Sequence, residues 1–167
     1  MAGRPLPASS TFTVEEIDGP LDVSNPDKNG FVRDTDGQIL PVIENFYRFC
    51  GEKRLMAVKC TSCQTVIWPP RGICPKCFHD KFDWQQLQGK GQLLTYTVIH
   101  FPPTQFQAIA PYAVGIVKLV EGLQLPGMLR NVKLGDLRIG MSLKTDFESG
   151  VLKEWPRWPR YYFTPAD

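Results

Sequence analysis

Cys60-Thr61-Ser62-Cys63 and, ten residues further on, Cys74-Pro75-Lys76-Cys77 are the stretches that decide how this 167-residue chain folds. A C-x-x-C turn directs two thiolates to one point. Two such turns complete a tetrahedral shell around zinc and leave no position for a substrate. We therefore predict a structural metal site, at Cys60, Cys63, Cys74 and Cys77, that folds a short ribbon hairpin and performs no chemistry.

Two other uses of the four cysteines remain open from the sequence: a pair of disulfides, or a thioredoxin-like redox pair. Disulfides require an oxidising compartment, and the first seven residues lack the apolar core of an export signal. A redox pair requires one C-x-x-C within a βαβ unit, whereas this chain has two symmetric pairs. Both observations favour metal over sulfur chemistry.

The composition is that of a soluble globular protein, with 43% hydrophobic and 22% charged residues. No apolar run approaches the length of a membrane span, and we expect a cytoplasmic protein. The net charge of +2 is unevenly distributed, because residues 1–40 carry seven acids and three bases while residues 48–90 carry eight bases and three acids. Bases near a thiolate-rich site partly neutralise it, and a phosphate-bearing partner is the alternative explanation.

The pattern of apolar and turn residues predicts a mainly β chain of five segments. Residues 1–40 have no lasting period and predict an extended arm. Pro41 opens a helix predicted over 41–54, in which Ile43, Phe46, Tyr47 and Cys50 share one face. Cys50 therefore reads as a buried small hydrophobe, not as a fifth ligand.

The ribbon is predicted over 55–86 and a small closed barrel such as an OB fold over 87–150, since short β-branched and aromatic runs alternate with turn signals there. Gly115 inside one run predicts a bulge or bend. The aromatic and proline-rich tail, 151–167, has the composition of an interface, through Trp155, Arg157, Trp158 and Arg160. It is expected either to pack on its own barrel or to dock into a partner.

No catalytic set is recognisable. His79 and His100 lie in separate segments, and no nucleophile elbow, Walker loop or dinucleotide fingerprint is present. Four thiolates already complete the metal shell, so His79 is not expected to be a ligand. His100 is expected at a barrel mouth, where a lone histidine is more often structural. The residues themselves thus favour a binding or scaffolding module.

The order of motifs also resembles a known family, the OB-fold proteins with an N-terminal rubredoxin-like zinc ribbon that accompany acyl-CoA enzymes. The resemblance covers about residues 42–148. It rests on an aromatic helix, the two cysteine pairs and several strand and turn motifs, which are Phe46-Tyr47-Arg48-Phe49, Trp68-Pro69-Pro70-Arg71, Asp83-Trp84, Gly89-Lys90-Gly91, Pro111-Tyr112-Ala113-Val114 and Ile139-Gly140-Met141. Residues 1–40 and the tail lie outside it.

The resemblance implies a non-catalytic, zinc-containing subunit of a thiolase-like complex that acts on acyl-CoA, similar to the small subunit of benzoylsuccinyl-CoA thiolase. Such a subunit stabilises the catalytic partner and helps form the channel for the coenzyme A thioester. The partner supplies the nucleophilic cysteine and the histidines. Sterol side-chain aldolases, acetyl-phloroglucinol acyltransferases and the archaeal thiolase–hydroxymethylglutaryl-CoA synthase assembly fit equally well.

The main rival is a single-strand nucleic-acid binder, because OB folds bind single strands through basic grooves and aromatic platforms. Residues 89–150 carry six bases against four acids, which is a thin excess for a groove that follows a phosphate backbone. Nucleic acid is therefore not the expected partner. A self-contained acyl-CoA enzyme that uses His100 is the third and weakest hypothesis.

Overall fold

The computed structural model describes residues 36–148 and 159–166. The predicted arm, apart from its last five residues, and Trp155, Arg157 and Trp158 of the tail lie outside the described residues. Within them, no helix is long and apolar enough to cross a membrane. The described residues are mainly β and form one short α-helix, a three-stranded ribbon sheet and a closed five-stranded barrel, so the predicted fold class is confirmed.

The helix, α1 (Ile43–Gly51), lies between the ribbon and the barrel. It is shorter than predicted, and Pro41 precedes it by two residues instead of occupying its first position. The apolar face is also rotated from the prediction. Phe46 and Cys50 are buried to 1% exposure, but Ile43 is 46% exposed and Phe49 is buried in its place.

The ribbon sheet contains β1 (Met56–Cys60), β2 (Val66–Ile67) and β3 (Phe82–Gln86) in the order β2-β1-β3, with both pairings antiparallel. Every residue of β1 except Lys59 is buried. Such a strand, covered on both sides, suits a central position in the sheet.

The barrel contains β4 (Lys90–Ile99), β5 (Tyr112–Leu119), β6 (Gln124–Leu129), β7 (Ser142–Glu148) and β8 (Arg160–Pro165). Its order is β4-β5-β6-β8-β7, and β4 pairs with β7 to close it. Only the β6–β8 contact is parallel among the barrel pairings described. This is the five-stranded Greek-key barrel of an OB fold.

The fifth barrel strand corrects the predicted boundary at residue 150, because Arg160–Pro165 belongs to the barrel and not to a separate tail. Phe163 of β8 is fully buried in the barrel core. Its ring lies where a Cβ on Gly127 of β6 would come within 2.7 Å, so a glycine is needed opposite it. Tyr161 donates a hydrogen bond to the Pro126 carbonyl, 2.6 Å away, and fastens β8 to the same strand.

The irregularity predicted near Gly115 lies on the neighbouring strand. The register of β4 against β5 shifts between Leu93 and Thr95. A Cβ on Gly115 would stand 2.6 Å from the Leu93 side chain, so the glycine makes room for a core residue beside the bulge.

Ribbon, helix and barrel share one hydrophobic core. Its fourteen buried residues include Phe46 and Cys50 from the helix, Leu55 and Ala57 at the ribbon, and Phe163 from the barrel. The Phe46 ring makes edge-on contacts with Trp68 of the ribbon at 5.9 Å and with Tyr161 of the barrel at 5.9 Å. The ribbon is thus packed directly against the helix and the barrel.

Candidate metal centre

Two turns of the same backbone geometry carry the four cysteines. In the first turn, the Gln64 amide donates to the Cys60 carbonyl at 3.0 Å. In the second, the Phe78 amide donates to the Cys74 carbonyl at 2.9 Å. The residue after each second cysteine has a positive φ, 60° at Gln64 and 59° at Phe78. Each turn thereby folds back on itself and presents both of its sulfurs on one side.

The backbone amide of the first cysteine in each pair also donates a hydrogen bond within its turn. The Cys60 amide donates to the Thr65 carbonyl at 3.0 Å, and the Cys74 amide donates to the His79 carbonyl at 2.8 Å. Cys60 ends β1 and pairs with Phe82 of β3, so one turn is anchored in the ribbon sheet. Both first cysteines are fully buried, and both second cysteines, Cys63 and Cys77, are half-buried.

The four sulfur atoms all lie within 4.8 Å of one another. The Cys60 and Cys77 sulfurs are 3.5 Å apart, and the Cys63 and Cys74 sulfurs are 3.6 Å apart. A tetrahedral zinc site with bonds of about 2.3 Å places its sulfurs about 3.8 Å apart. The spacing therefore fits a four-thiolate metal site, and each short contact joins one cysteine from each turn.

The disulfide and redox alternatives do not fit this geometry. The five cysteines are free thiols, and the short sulfur contacts far exceed the bond length of about 2.05 Å in a disulfide. The two C-x-x-C turns lie on a three-stranded β ribbon, not in a βαβ unit. Four soft thiolate ligands in a tetrahedral array are typical of zinc and of iron–sulfur sites.

Thr65 supports the thiolate form of Cys63. Hydrogen bonds from the Thr65 hydroxyl, 3.2 Å from the sulfur, and from the Thr65 amide lower the pKa of Cys63 to about 6. A thiolate is the form that binds metal. Thr65, Gln64 and Phe78 were not singled out from the sequence, although their signal is present, because they follow the second cysteine of each pair at matching offsets.

Cys50 lies apart from the centre. It belongs to the shared core and not to the sulfur cluster, as its place on the apolar helix face predicted. Burial raises the pKa of its thiol to about 12, which keeps it protonated and unreactive.

The histidines are likewise separate. The Nε2 atom of His79 is 3.1 Å from the Thr61 hydroxyl, so this side chain links one cysteine turn to the other without joining the sulfur cluster. His100 is exposed just after β4, far along the chain from Cys50, which is buried in the core. No nucleophile–base pair forms between Cys50 and either histidine.

Of the residues predicted to bind a partner, only Arg160 is described. It begins β8 and is half-buried, with its guanidinium carbon 5.9 Å from the centre of the Phe106 ring. Phe106 lies in the 3-10 turn Thr104–Ile109, in the long connection between β4 and β5. Next to that turn, Phe101 is 98% exposed.

Two family models match consecutive parts of the chain. The first, described as the rubredoxin-like zinc ribbon domain of ChsH2, matches residues 49–83, and the second, the C-terminal OB-fold domain of ChsH2, matches residues 84–148. A DUF35 domain-containing scaffold protein of Methanocaldococcus jannaschii is 40% identical over 113 residues, which are 63% of this chain and 77% of that protein. The chain belongs to the ChsH2-type DUF35 family. The family predicted by resemblance is thereby confirmed.

Other relatives differ in size. A DUF35 domain-containing scaffold protein of Pyrococcus furiosus is 31% identical over 61% of this chain and 75% of its own length. A protein of Thermomonospora curvata named as a probable enoyl-CoA hydratase alpha subunit is 35% identical over 61% of this chain, but only 32% of that larger protein is matched.

Among solved structures, a chain of the Ltp2-ChsH2(DUF35) aldolase superimposes with a TM-score of 0.63 and 31% identity, over 74% of this chain and 93% of that chain. A DUF35 family protein of Sulfolobus solfataricus superimposes with a TM-score of 0.50 at 17% identity and shows the common fold alone.

Proposed function

We propose that this chain is a non-catalytic, zinc-containing scaffold subunit of a thiolase-like complex that makes or breaks carbon–carbon bonds in acyl-CoA substrates. One observation carries the proposal. The fold of this chain covers 93% of a chain that was solved as part of the Ltp2-ChsH2(DUF35) aldolase, with a TM-score of 0.63 and 31% identity. Relatives called scaffold proteins, in two of which three quarters of the length is matched, support the same role.

Zinc in this proposal is structural. Cys60, Cys63, Cys74 and Cys77 would hold it, and with all four positions occupied by thiolate the ion supplies folding free energy and no open site for substrate. The ribbon that it stabilises packs through Trp68 against the helix and the barrel. The metal therefore contributes to the shape of the whole subunit.

The catalytic groups would come from the partner. A thiolase-type reaction requires an activated nucleophile and a base within hydrogen-bond reach, and here the protonated, buried Cys50 and the exposed His100 are not paired. The partner binds the acyl-CoA thioester, and this subunit helps form the channel for coenzyme A. The enoyl-CoA hydratase name of one relative supports a substrate of the acyl-CoA class.

The partner would contact the face where β8 enters the barrel. Arg160 lies there against the Phe106 ring, beside the exposed Phe101. The chain leading into Arg160 carries Trp155, Arg157 and Trp158, whose composition is typical of interface centres. Residues 1–40 would add a second contact by wrapping the partner, since extended segments gain order only by covering apolar surface.

Purification from the native host tests the proposal directly. The tagged wild-type chain is expected to bring down a thiolase-like protein in stable proportion. Deletion of residues 1–35, or the double change W155A and W158A, is expected to weaken this complex while zinc stays at one ion per chain. If both variants retain the partner at wild-type yield and salt resistance, these segments are not its binding site.

Activity provides the second test. The purified chain alone is expected to show no thiolase, aldolase or hydrolase turnover of acyl-CoA. Turnover by the isolated protein that disappears in H100A would overturn the scaffold assignment in favour of a self-contained enzyme.

A further inference from the structure

Strand β5 is apolar on both of its faces over most of its length. Alternate residues from Ala113 to Leu119 are buried in the barrel, so Tyr112, Val114 and Ile116 face outward. In an antiparallel sheet with one solvated face, the outward positions are usually polar. Here Ile116 is 37% exposed, and the other two are half-buried. An apolar outward row of this kind indicates a surface that another molecule covers.

The neighbouring strands continue this surface in the paired register of the barrel. Their outward residues are apolar or threonine, and none carries a charge. Within the described part of the chain, the apolar members pack against none of the buried core clusters. We call this surface the outer barrel face, and its three cross-strand rows are Ile99 with Tyr112, Thr97 with Val114 and Met128, and Thr95 with Ile116 and Pro126.

Charged residues border the outer barrel face without entering it. Lys118 lies one row beyond Ile116 on β5, and Arg130 follows the end of β6. The Arg130 guanidinium is already engaged, because it lies 2.9 Å from the Glu148 carboxylate and 4.7 Å from the centre of the Tyr162 ring. OB folds bind oligonucleotides and sugars on their second and third strands, here β5 and β6. In this chain the three rows offer no cation to a phosphate backbone.

The area of the outer barrel face limits what can bind to it alone. Each residue on one face of a sheet covers about 32 Å², since strands lie about 4.8 Å apart and alternate residues about 6.7 Å apart. Eight residues therefore cover about 260 Å², whereas each side of a standard protein interface measures about 800 Å². A second copy of the chain that met the face only through these rows would bury too little area for a stable dimer.

The outer barrel face continues into the surface assigned above to the protein partner. The Tyr112 ring lies 5.9 Å from the Phe106 ring, and the Arg160 guanidinium lies 5.9 Å from the other ring contact of Phe106 in the same cluster. Phe101 of the same connection is 98% exposed. These residues enlarge the contact toward the size of a standard interface. Area and continuity therefore favour one large protein surface over a second copy.

We propose that the outer barrel face is the apolar centre of the contact with the thiolase-like partner, which meets it with an uncharged, apolar surface. The inference rests on the proposed function and adds to it the place of contact and the chemistry of the partner's surface. A charged group of the partner would lose its water here without gaining a counter-ion, which is costly. Phe101, Phe106 and Arg160 then form the edge of the contact, where aromatic and arginine side chains are common.

The double change V114T and I116T tests the outer barrel face. Threonine is β-branched and suits a strand, so the fold is expected to be retained. The probe is the thiolase-like protein that co-purifies with the tagged wild-type chain, separated from it by salt and titrated back onto the full-length, zinc-loaded variants. Partner affinity is expected to fall about tenfold or more, because two hydroxyl groups would be buried without partners. T97K, which adds a charge to the middle row at an exposed position, is expected to have a similar effect.

Ile139 provides the matched control, because it is 69% exposed in the connection before β7, which lies on the opposite edge of β4 from β5. I139T is expected to leave partner affinity within twofold of wild type. If wild type captures the partner but the double variant and T97K both bind it within twofold of wild type, the inference alone is overturned. A wild-type chain that captures no thiolase-like protein overturns the proposed function and the inference together.

Other occupants of the outer barrel face give different results, and each of them would overturn the inference. A wild-type chain that sediments as a dimer by itself, while the double variant is a monomer, would assign the face to a second copy. Faster amide exchange of residues 1–35 in the isolated double variant than in isolated wild type would assign it to the chain's own arm. A single-stranded oligonucleotide that binds wild type but not the double variant would assign it to nucleic acid.

Discussion

The ribbon and the barrel are built around buried clusters of different size and composition. The ribbon has its own small cluster of five buried residues, of which Cys60 and Cys74 belong to the four-sulfur cluster that could hold a metal. The barrel lies in a cluster of fourteen buried residues, of which Phe163 and six leucines supply most of the volume on the barrel side. We therefore expect the ribbon to depend on bonds to an ion, whereas the barrel depends on apolar surface removed from water.

The two regions are therefore encoded differently in the sequence. In the ribbon, two turns of the same geometry place the four cysteines, so the spacing of these residues predicts the site. In the barrel, many buried residues each contribute a small part of the free energy of folding. Phe46 joins the two, because its ring contacts Trp68 of the ribbon and Tyr161 of the barrel.

The largest expected effect is loss of a thiolate. C74S is expected to lose the metal and unfold the ribbon, because structural zinc contributes an apparent free energy of about 10–16 kcal/mol in small zinc domains at neutral pH. Elemental analysis and amide hydrogen exchange measure the two consequences. C50A is the control, since Cys50 is buried outside the sulfur cluster. A C74S protein that keeps one zinc per chain and a protected ribbon would contradict the four-thiolate site.

The second-largest effect is expected at Phe46, whose ring contacts both the ribbon and the barrel. F46A is expected to lower the free energy of unfolding by about 3–5 kcal/mol, the usual cost of removing a buried phenylalanine. Urea denaturation measures it. Ile43 of the same helix is 46% exposed, so I43A is expected to change stability by about 0.5 kcal/mol or less. Equal losses in the two variants would mean that the helix contributes only its backbone and does not join ribbon to barrel.

The sequence predicted the ribbon more fully than the barrel. Cys60, Cys63, Cys74 and Cys77 could be identified without any three-dimensional knowledge, because their spacing alone carries the chemistry. Four barrel strands could be identified in the same way from alternating apolar runs. The OB fold followed from these strands and from the resemblance.

The fifth strand was missed for a physical reason. The segment between β7 and β8 contains Pro156 and Pro159, which interrupt any strand pattern, so the run from Arg160 to Thr164 read as part of a tail. The signal that β8 returns to the barrel is non-local, because it lies in the space that Gly127 leaves for Phe163.

The third expected effect concerns the fit of the Phe163 ring of β8 against Gly127 of β6. G127A places a methyl group 2.7 Å from the Phe163 ring, and overpacking of this kind is expected to cost about 1–3 kcal/mol. Gly135 provides a matched control, since a Cβ there meets nothing within 4 Å. Thermal unfolding of G127A and G135A measures the difference. If G127A is as stable as G135A, β8 does not press against β6, and the fit between Phe163 and Gly127 does not stabilise the barrel.

The smallest effect is expected at His79 of the ribbon, and it distinguishes a hydrogen-bonding role of this side chain from a role as a metal ligand. The Nε2 atom of His79 is 3.1 Å from the Thr61 hydroxyl, and His79 is not part of the group of four sulfurs that could hold a metal. H79A is therefore expected to keep one zinc per chain and to lose only about 0.5–1.5 kcal/mol of stability, the usual net value of one hydrogen bond. H100A is the control and is expected to change neither quantity, because His100 is exposed just after β4. Zinc content and urea midpoints of both variants check the expectation. A fall in the zinc content of H79A to well below one ion per chain would show that the imidazole belongs to the metal shell, and the ribbon would then rest on three thiolates and a histidine.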